Sequence, residues 1–271
     1  MILVTGATGK TGRSLIAQLE QTGLPYRAAS RTGAVPFDWE RPATWDGALD
    51  GVAAVYLVAP GTVGNAYALM IDFIAAAMRK GVRRFVLLSM SGLPAGGPAH
   101  GQVHQWLKDN SGDWAVLAPS AFMQNFSAGP YLASIREEDR IYSNTGDGRV
   151  PFIDVHDIAA SARAVLTAAA PSNAEFVLTG EEPMSYDRVA QIVGRACGRA
   201  IAHVPVTMDE MAARLMRRGI PEANARMLAF GYQTIAAGAQ DRATGVVRTL
   251  TGHTPMTFEA FAKANAAVWR R

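Results

Sequence analysis

The sequence is poor in the residues on which several classes of protein depend. Cys197 is its only cysteine, so no disulfide forms within the chain, and we expect no cysteine redox chemistry. No apolar run approaches the roughly 18 residues that a membrane span requires. The first apolar strand begins at residue 2, where a signal peptide needs its basic region. We therefore expect a soluble, cytoplasmic protein that has no membrane partner.

Net charge is also small. The formal net charge is +3, only 18% of the residues are charged and 49% are hydrophobic, which is the composition of a globular chain and not of a disordered one. The arginines are spread over many segments and form no cluster interleaved with aromatic residues, so we expect no nucleic-acid partner. A small-molecule substrate is the expected partner, and the protein is expected to be a monomer or a homodimer.

Two catalytic motifs are missing as well. The sequence contains no Gly-x-Ser-x-Gly, which argues against a serine hydrolase. His100 and His104 have the spacing of two zinc ligands on a helix, but no glutamate lies between them, and His156, His203 and His253 offer no clear third ligand. We predict that no metal is bound.

A glycine-rich turn lies at the start of the chain. Gly6, Gly9 and Gly12 are three residues apart. They follow the apolar strand 2–5 and precede a helix with leucines at helical spacing, so the turn presents a helix N-terminus, which favours a pyrophosphate. A turn without a ligand is the alternative. We predict a nucleotide site formed by Thr5, Gly6, Thr8, Gly9, Lys10, Thr11 and Gly12.

Strand-like and helical runs alternate along the first part of the chain. This alternation predicts an α/β fold, a Rossmann doubly wound parallel sheet whose cofactor binds beyond the carboxyl ends of the strands. We predict a Rossmann domain over residues 1–171, in which 119–150 face the substrate pocket, and a smaller, mainly helical C-terminal substrate lobe over 172–271. The predicted strands are 2–5, 26–30, 35–39, 52–58, 84–89, 114–118, 175–178 and 202–206, and the predicted helices are 66–80, 102–110, 186–197, 208–218, 221–236 and 258–269.

The choice of cofactor depends on the end of the second strand. NAD sites usually have an acidic residue there for the ribose 2′-hydroxyl, whereas residues 24–37 contain none and Arg31 follows the strand. Arg31 suits a 2′-phosphate, so we predict NADP(H) before NAD(H); an ordinary surface arginine is the alternative. Asp38 is a candidate for the adenine amino group or for a loop cap. We also predict cofactor contacts by residues that follow the later strands. These are Ala59, Pro60 and the residues up to Thr62 after one strand, Ser89 after the next, and Pro119 after the one that follows.

The catalytic pair Tyr-x-x-x-Lys, in which a lysine lowers the pKa of the tyrosine, is absent. The segment where the pair belongs contains His100 and His104 instead. We predict that His104 contacts the nicotinamide ribose or donates a proton, and the alternative is a partly buried helix histidine with a satisfied hydrogen bond. Ser89 and Ser91 are candidates for binding the substrate carbonyl or the carboxamide, or else are turn residues.

The whole chain resembles the NmrA-like atypical short-chain dehydrogenases, in particular the bacterial relatives of the ergot-alkaloid reductases, the agroclavine dehydrogenase and festuclavine synthase group. The matching stretches are 4–12, 37–39, 55–58, 119–126, 154–159, 178–180, 185–187, 231–242 and 257–263. The resemblance implies an NAD(P)-binding Rossmann core and a substrate pocket between residues 122–126 and the C-terminal lobe. The predicted pocket residues are Ser91, Phe122, Met123, Asn125 and Phe126.

The family contains reductases and redox sensors, and the missing Tyr-Lys pair is compatible with both. We predict an NAD(P)H-dependent oxidoreductase that transfers hydride to an activated small-molecule acceptor, such as an iminium, a quinone or a conjugated carbonyl. These acceptors need little acid catalysis, so the protein's main task is to position the nicotinamide and exclude water. A non-catalytic NAD(P)-binding regulatory protein of the NmrA type is the alternative.

Overall fold

The structure is a computed structural model that describes residues 1–60 and 66–271. It contains two compact units. The first consists of residues 1–119, 155–178 and 246–253, and the second of residues 120–154, 179–245 and 254–271. The units are interleaved along the chain, whereas the predicted domains meet at a single boundary after residue 171. No helix in the described ranges is long and apolar enough to cross a bilayer.

The elements of secondary structure follow one another closely. Up to residue 143 they are β1 Ile2–Val4, α1 Lys10–Gln21, β2 Tyr26–Ala28, α2 Trp45–Leu49, β3 Ala54–Leu57, α3 Ala66–Arg79, β4 Arg84–Leu88, α4 His100–Asn110, β5 Trp114–Pro119, α5 Leu132–Glu138 and β6 Arg140–Ser143. They continue with β7 Arg149–Val150, α6 Val155–Leu166, β8 Ala174–Leu178, β9 Met184–Ser185, α7 Tyr186–Cys197, β10 Ala202–Pro205, α8 Met208–Met216, α9 Glu222–Ala236, α10 Val246–Thr251 and α11 Phe258–Asn265.

The first unit contains a six-stranded sheet in the order β2-β1-β3-β4-β5-β8, and every neighbouring pair is parallel. This confirms the predicted α/β Rossmann fold. The chain moves outward from β1 to β2 and then in the opposite direction from β3 to β4. Because parallel crossovers are right-handed, α1 and α3 lie on opposite faces of the sheet. The order of the strands reverses between β1 and β3, and cofactors bind at the carboxyl edge beside such a reversal.

Most of the predicted elements are present in the structure. Helix α7 has the predicted bounds, β8 joins the main sheet beside β5, and Ser185 and Thr257 cap α7 and α11 by accepting a backbone N–H at 3.2 Å. The predicted helix 258–269 is divided into α11 and a 3₁₀ turn over Ala266–Trp269.

The predicted strand 35–39 is wrong. Its residues form a loop in which Phe37 donates its N–H to the Ser30 carbonyl at 2.9 Å, and Pro36 makes only an isolated bridge to Ser30. Phe37 and Trp39 pack edge-on against Phe73 of α3, with ring centroids 5.2 Å away in both cases. The alternating apolar pattern therefore reflects burial of a loop under an aromatic cluster.

The second unit has its own core and two small strand pairs, β6 with β10 and β7 with β9. Phe126 lies at the centre of this core, fully buried. The indole N–H of Trp269 donates to the Phe126 carbonyl at 2.8 Å and ties the end of the chain to this centre. The aromatic rings closest to Phe126 are those of Tyr131 at 4.8 Å, Phe152 at 5.3 Å and Phe258 at 5.4 Å between centroids.

Candidate cofactor site

The turn between β1 and α1 has a backbone shape that requires glycine. Gly6 has φ +63°, a conformation that other residues rarely adopt, and a Cβ there would lie 2.9 Å from the Val58 Cβ. The Gly9 N–H donates to the Gly6 carbonyl at 2.8 Å and closes the turn. These contacts hold the turn against the end of β3 and leave its outer side without side-chain atoms from Gly6 and Gly9.

Gly12 brings the first turn of α1 into contact with the same loop. A Cβ on Gly12 would lie 2.8 Å from the Gly6 carbonyl carbon and 3.0 Å from the Ala7 Cα, and closer still to the Gly6 oxygen. Only glycine allows this approach, because backbone atoms are not able to rotate out of the way as a flexible side chain does. The helix therefore starts directly above the end of β1.

The N-terminus of α1 is suited to an anion. Gly9 occupies the N-cap position without a side chain that accepts a hydrogen bond, and the first turn contains no acidic residue. Its amides and the helix dipole are therefore left for an external anion. Burial lowers the pKa of the half-buried Lys10 ammonium in this turn. The uncapped amides, the helix dipole and the space that Gly6, Gly9 and Gly12 leave fit a dinucleotide pyrophosphate.

Three threonines surround this turn and differ in exposure. Thr5 is fully buried: its hydroxyl donates to the Tyr56 carbonyl at 2.8 Å and accepts from the Val58 N–H at 2.8 Å, so it ties β1 to β3. Thr11 is buried and Thr8 is exposed. Burial raises the pKa of the Tyr56 phenol, and the Thr11 hydroxyl lowers it. The structure thus gives Thr5 a supporting position, and direct cofactor contacts of the three threonines stay predictions.

Arg31 lies at the same edge of the sheet as the glycine turn. Val4 of β1 is paired with Ala28 of β2, so the residues that follow these strands leave the sheet side by side. Arg31 is exposed, and no ion pair restrains its guanidinium within the described residues. This position is compatible with the predicted contact to a 2′-phosphate.

Asp38 acts as a loop cap. Its Oδ1 accepts from the Glu40 N–H at 3.0 Å, and its own N–H donates to the Thr44 hydroxyl at 3.0 Å. The Trp45 indole N–H donates to the Asp38 carbonyl at 3.0 Å. These bonds support the loop-cap alternative, and the contact with adenine stays a prediction.

The loops after β3, β4 and β5 reach the same edge of the sheet. Ala59 and Pro60 are half-buried after β3, and the predicted residue Thr62 lies outside the described residues. After β4, buried Ser89 donates its N–H to the Leu117 carbonyl at 2.8 Å. Two residues further, the Ser91 N–H donates to the Pro119 carbonyl at 2.9 Å. Ser89, Ser91 and Pro119 are therefore brought together.

His104 lies near the amino-terminal end of β5, away from the edge where the cofactor is predicted to bind. Its side chain is buried, and its ring lies 5.4 Å from that of Trp114, the first residue of β5 and hence the far end of that strand from Pro119. Burial lowers the pKa of His104, Glu175 raises it and Lys108 lowers it. The packing against Trp114 fits the structural alternative, but the buried Nδ1 of His104 lacks the hydrogen bond that this alternative predicts within the described part of the chain. A role for His104 at the nicotinamide stays a prediction.

Some of the residues predicted to line a substrate pocket are half-buried, and others are buried in the core. Ser91 is half-buried in the first unit. In the second unit, Phe122 and Asn125 are half-buried, whereas Met123 and Phe126 are 1% and 0% exposed and belong to its core. Phe122 and Asn125 therefore remain the more accessible candidates. Val58 closes the inner side of the glycine turn, and no pattern in the sequence distinguishes it, because it is an ordinary apolar residue at the end of a strand.

Comparison with known proteins places the chain among dinucleotide-binding proteins. A family model described as NAD(P)H-binding matches residues 6–167. The chain is 41% identical to an agroclavine dehydrogenase of Claviceps fusiformis over 99% of this chain and 98% of that one. It is 32% identical to an NAD(P)H azoreductase of Xenophilus azovorans over 99% of both chains. Its fold is similar to that of an NADPH-dependent quinone oxidoreductase of Escherichia coli complexed with NADPH, with a TM-score of 0.84, 23% identity and coverage of 97% and 99%.

Proposed function

This chain belongs to the NAD(P)H-binding family and is an NAD(P)H-dependent reductase, and on that premise we propose that it prefers NADPH and reduces an activated small molecule. The observation that carries the proposal is the glycine turn. Its contact between Gly12 and Gly6 places the N-terminus of α1, which no side chain caps, beside the point where the order of the strands reverses. A relative named agroclavine dehydrogenase supports hydride transfer, and a relative named NAD(P)H azoreductase supports an acceptor with an N=N bond.

The proposed roles follow from position. The amides of the first turn of α1 hold the pyrophosphate, and Arg31 pairs with the 2′-phosphate. Ser89 and Ser91, which the loop after β4 holds at the end of β5, bind the carboxamide or the acceptor. The bound cofactor supplies a hydride. Because the sequence has no Tyr-x-x-x-Lys, we propose acceptors that are already electron-poor: an iminium, a quinone, an azo compound or a conjugated carbonyl.

The preference for NADPH is tested by substitution of Arg31. We expect wild-type protein to bind NADPH about ten- to a hundredfold more tightly than NADH, since a charge-assisted phosphate contact has this effect. Arg31→Ala is expected to remove most of the difference. Isothermal titration with both cofactors measures this difference in affinity.

Arg79→Ala is the matched control, because Arg79 is exposed at the end of α3 that lies far from the cofactor edge, and its loss is expected to leave both affinities unchanged. Equal affinities in the wild type would contradict the preference.

Turnover separates a reductase from a regulatory protein that only binds the dinucleotide. We expect loss of NADPH absorbance with at least one acceptor in a panel of quinones, azo dyes, cyclic imines and enones. The same protein preparation is titrated with NADPH by fluorescence, so that binding and turnover are measured together. Tight binding without oxidation of NADPH across the whole panel would replace the reductase proposal with the sensor alternative.

A further inference from the structure

The loop between β4 and α4 is strained where it enters the helix. Ala99, the N-cap residue of α4, has φ +55° and ψ −122°, a combination that an alanine rarely adopts. The loop folds back over the first turn of the helix: the Gly96 N–H donates to the Gly101 carbonyl at 2.8 Å, and a Cβ on Gly101 would lie 2.5 Å from the Pro94 carbonyl oxygen. The chain thus fixes the position of the residue between Ala99 and Gly101, which is His100.

His100 is at the cofactor edge of the sheet. The loop before it starts at the carboxyl end of β4 and is bonded to Pro119, whereas His104 lies beside Trp114 at the opposite end of β5. Helix α4 therefore runs away from the cofactor edge. At a rise of 1.5 Å per residue, His100 lies about 6 Å nearer to that edge than His104 does.

Tyr67 packs against His100 from the neighbouring helix. Tyr67 is in the first turn of α3, and its ring lies 5.0 Å from the imidazole at an angle of 63°. Both side chains are half-buried, and within the described residues neither the imidazole nitrogens of His100 nor the Tyr67 hydroxyl has a hydrogen-bond partner. A ring contact therefore holds the histidine in place, and no other residue of the described ranges occupies its nitrogens.

We propose that His100 is the residue that gives a proton to the acceptor and that Tyr67 positions it; this rests on the proposed reductase function. The acceptor receives two electrons and a hydrogen as hydride from the reduced dinucleotide. The N–H bond of protonated His100 breaks as an O–H or N–H bond forms on a quinone or azo acceptor, and His100 takes up a proton from solvent afterwards. Burial lowers the pKa of His100, so its protonated form is a stronger acid while a smaller fraction of the protein carries that proton near neutral pH.

The position of His100 is tested without turnover by its reaction with diethyl pyrocarbonate. The chain has five histidines, so peptide mass spectrometry follows each one separately. Saturating NADP⁺ is expected to slow the modification of His100 about tenfold. His156 is the internal reference: it is exposed, and its carbonyl accepts from Gln18, far along α1 from Gly9. An unchanged His100 rate in protein that binds NADP⁺ overturns the inference, whereas failure to bind NADP⁺ is a failure of the proposed function itself.

The proton transfer is tested by comparing acceptors. His100→Ala is expected to lower kcat/KM for a quinone or azo acceptor by about 10² or more, and to change it less than about threefold for a preformed iminium, which needs hydride but no proton. The affinity for NADPH is measured on the same variant and is expected to stay within about threefold of the wild type. Equal losses on both acceptors, or no loss on either, contradict the role of proton donor.

Tyr67→Ala distinguishes positioning from general packing. In the cofactor-free protein this substitution is expected to raise the rate at which His100 reacts with diethyl pyrocarbonate, because the ring that covers it is gone. It is also expected to lower kcat for the quinone about tenfold while the affinity for NADPH is kept. An unchanged modification rate together with an unchanged kcat would remove Tyr67 from the proposal.

Discussion

Gly12→Ala is expected to weaken dinucleotide binding by at least a hundredfold and to lower the free energy of unfolding by about 1–3 kcal/mol, the usual cost of inserting a group into a packed site. The added Cβ would meet the Gly6 carbonyl at distances that real Cβ atoms do not show, and it would lie only 3.0 Å from the Ala7 Cα. Because those atoms are backbone, helix α1 has to move away from the end of β1. Its N-terminal amides then no longer point where the pyrophosphate binds.

Gly47→Ala is the matched control for this prediction. Gly47 lies in helix α2 of the same unit, it does not have a positive φ, and a Cβ there would have no atom within 4 Å. Alanine in a helix at such a site is expected to stabilise the protein by about 0.4–1 kcal/mol. Urea unfolding and isothermal titration with NADP⁺ measure both variants. Wild-type affinity and stability in Gly12→Ala would show that the contact between helix and turn is not needed.

Phe126→Ala is expected to cost about 3–5 kcal/mol of stability, as the loss of a buried aromatic ring usually does. Phe126 is fully buried and contacts Tyr131, Phe152 and Phe258. Phe230→Ala is the matched control, since Phe230 is 61% exposed on α9, and its loss is expected to change the stability by less than about 0.5 kcal/mol. Urea unfolding followed by near-ultraviolet circular dichroism compares the two variants.

The same comparison decides whether Phe126 lines a substrate pocket. If Phe126→Ala is as stable as Phe230→Ala, the ring does not belong to the core, and the prediction from the sequence regains its basis. If only Phe126→Ala is destabilised, the aromatic run 122–126 mainly builds the second unit, and Phe122 and Asn125 remain the candidates for contact with the substrate.

The part of the site that the sequence predicts well is local. Strand, glycines and helix follow one another within twelve residues at the start of the chain, and each glycine has a steric reason that holds wherever this turn occurs. The parallel pairing of the sheet follows from the alternation of strands and helices, whereas the strand order and the position of β8 beside β5 come from the structure.

The parts that it does not predict depend on contacts that are distant in sequence. Residues 35–39 have the alternation of a strand, but Phe37 and Trp39 are buried against Phe73, which no local pattern reveals. The four-residue spacing of His100 and His104 is visible in the sequence, but it does not show that their surroundings differ. His100 packs against Tyr67, whereas His104 packs against Trp114.

The division of the first unit into three stretches of chain affects the order in which the protein forms during its synthesis. Strand β5 leaves the ribosome before its neighbour β8, and the 59 residues from Ser120 to Leu178 take roughly 3 to 12 seconds at about 5–20 residues per second. During that interval the nascent sheet has an open, apolar edge, which is the kind of edge that pairs with other chains. The nascent chain is thus most prone to aggregation, and to binding by a chaperone, while the residues that separate β5 from β8 are being translated.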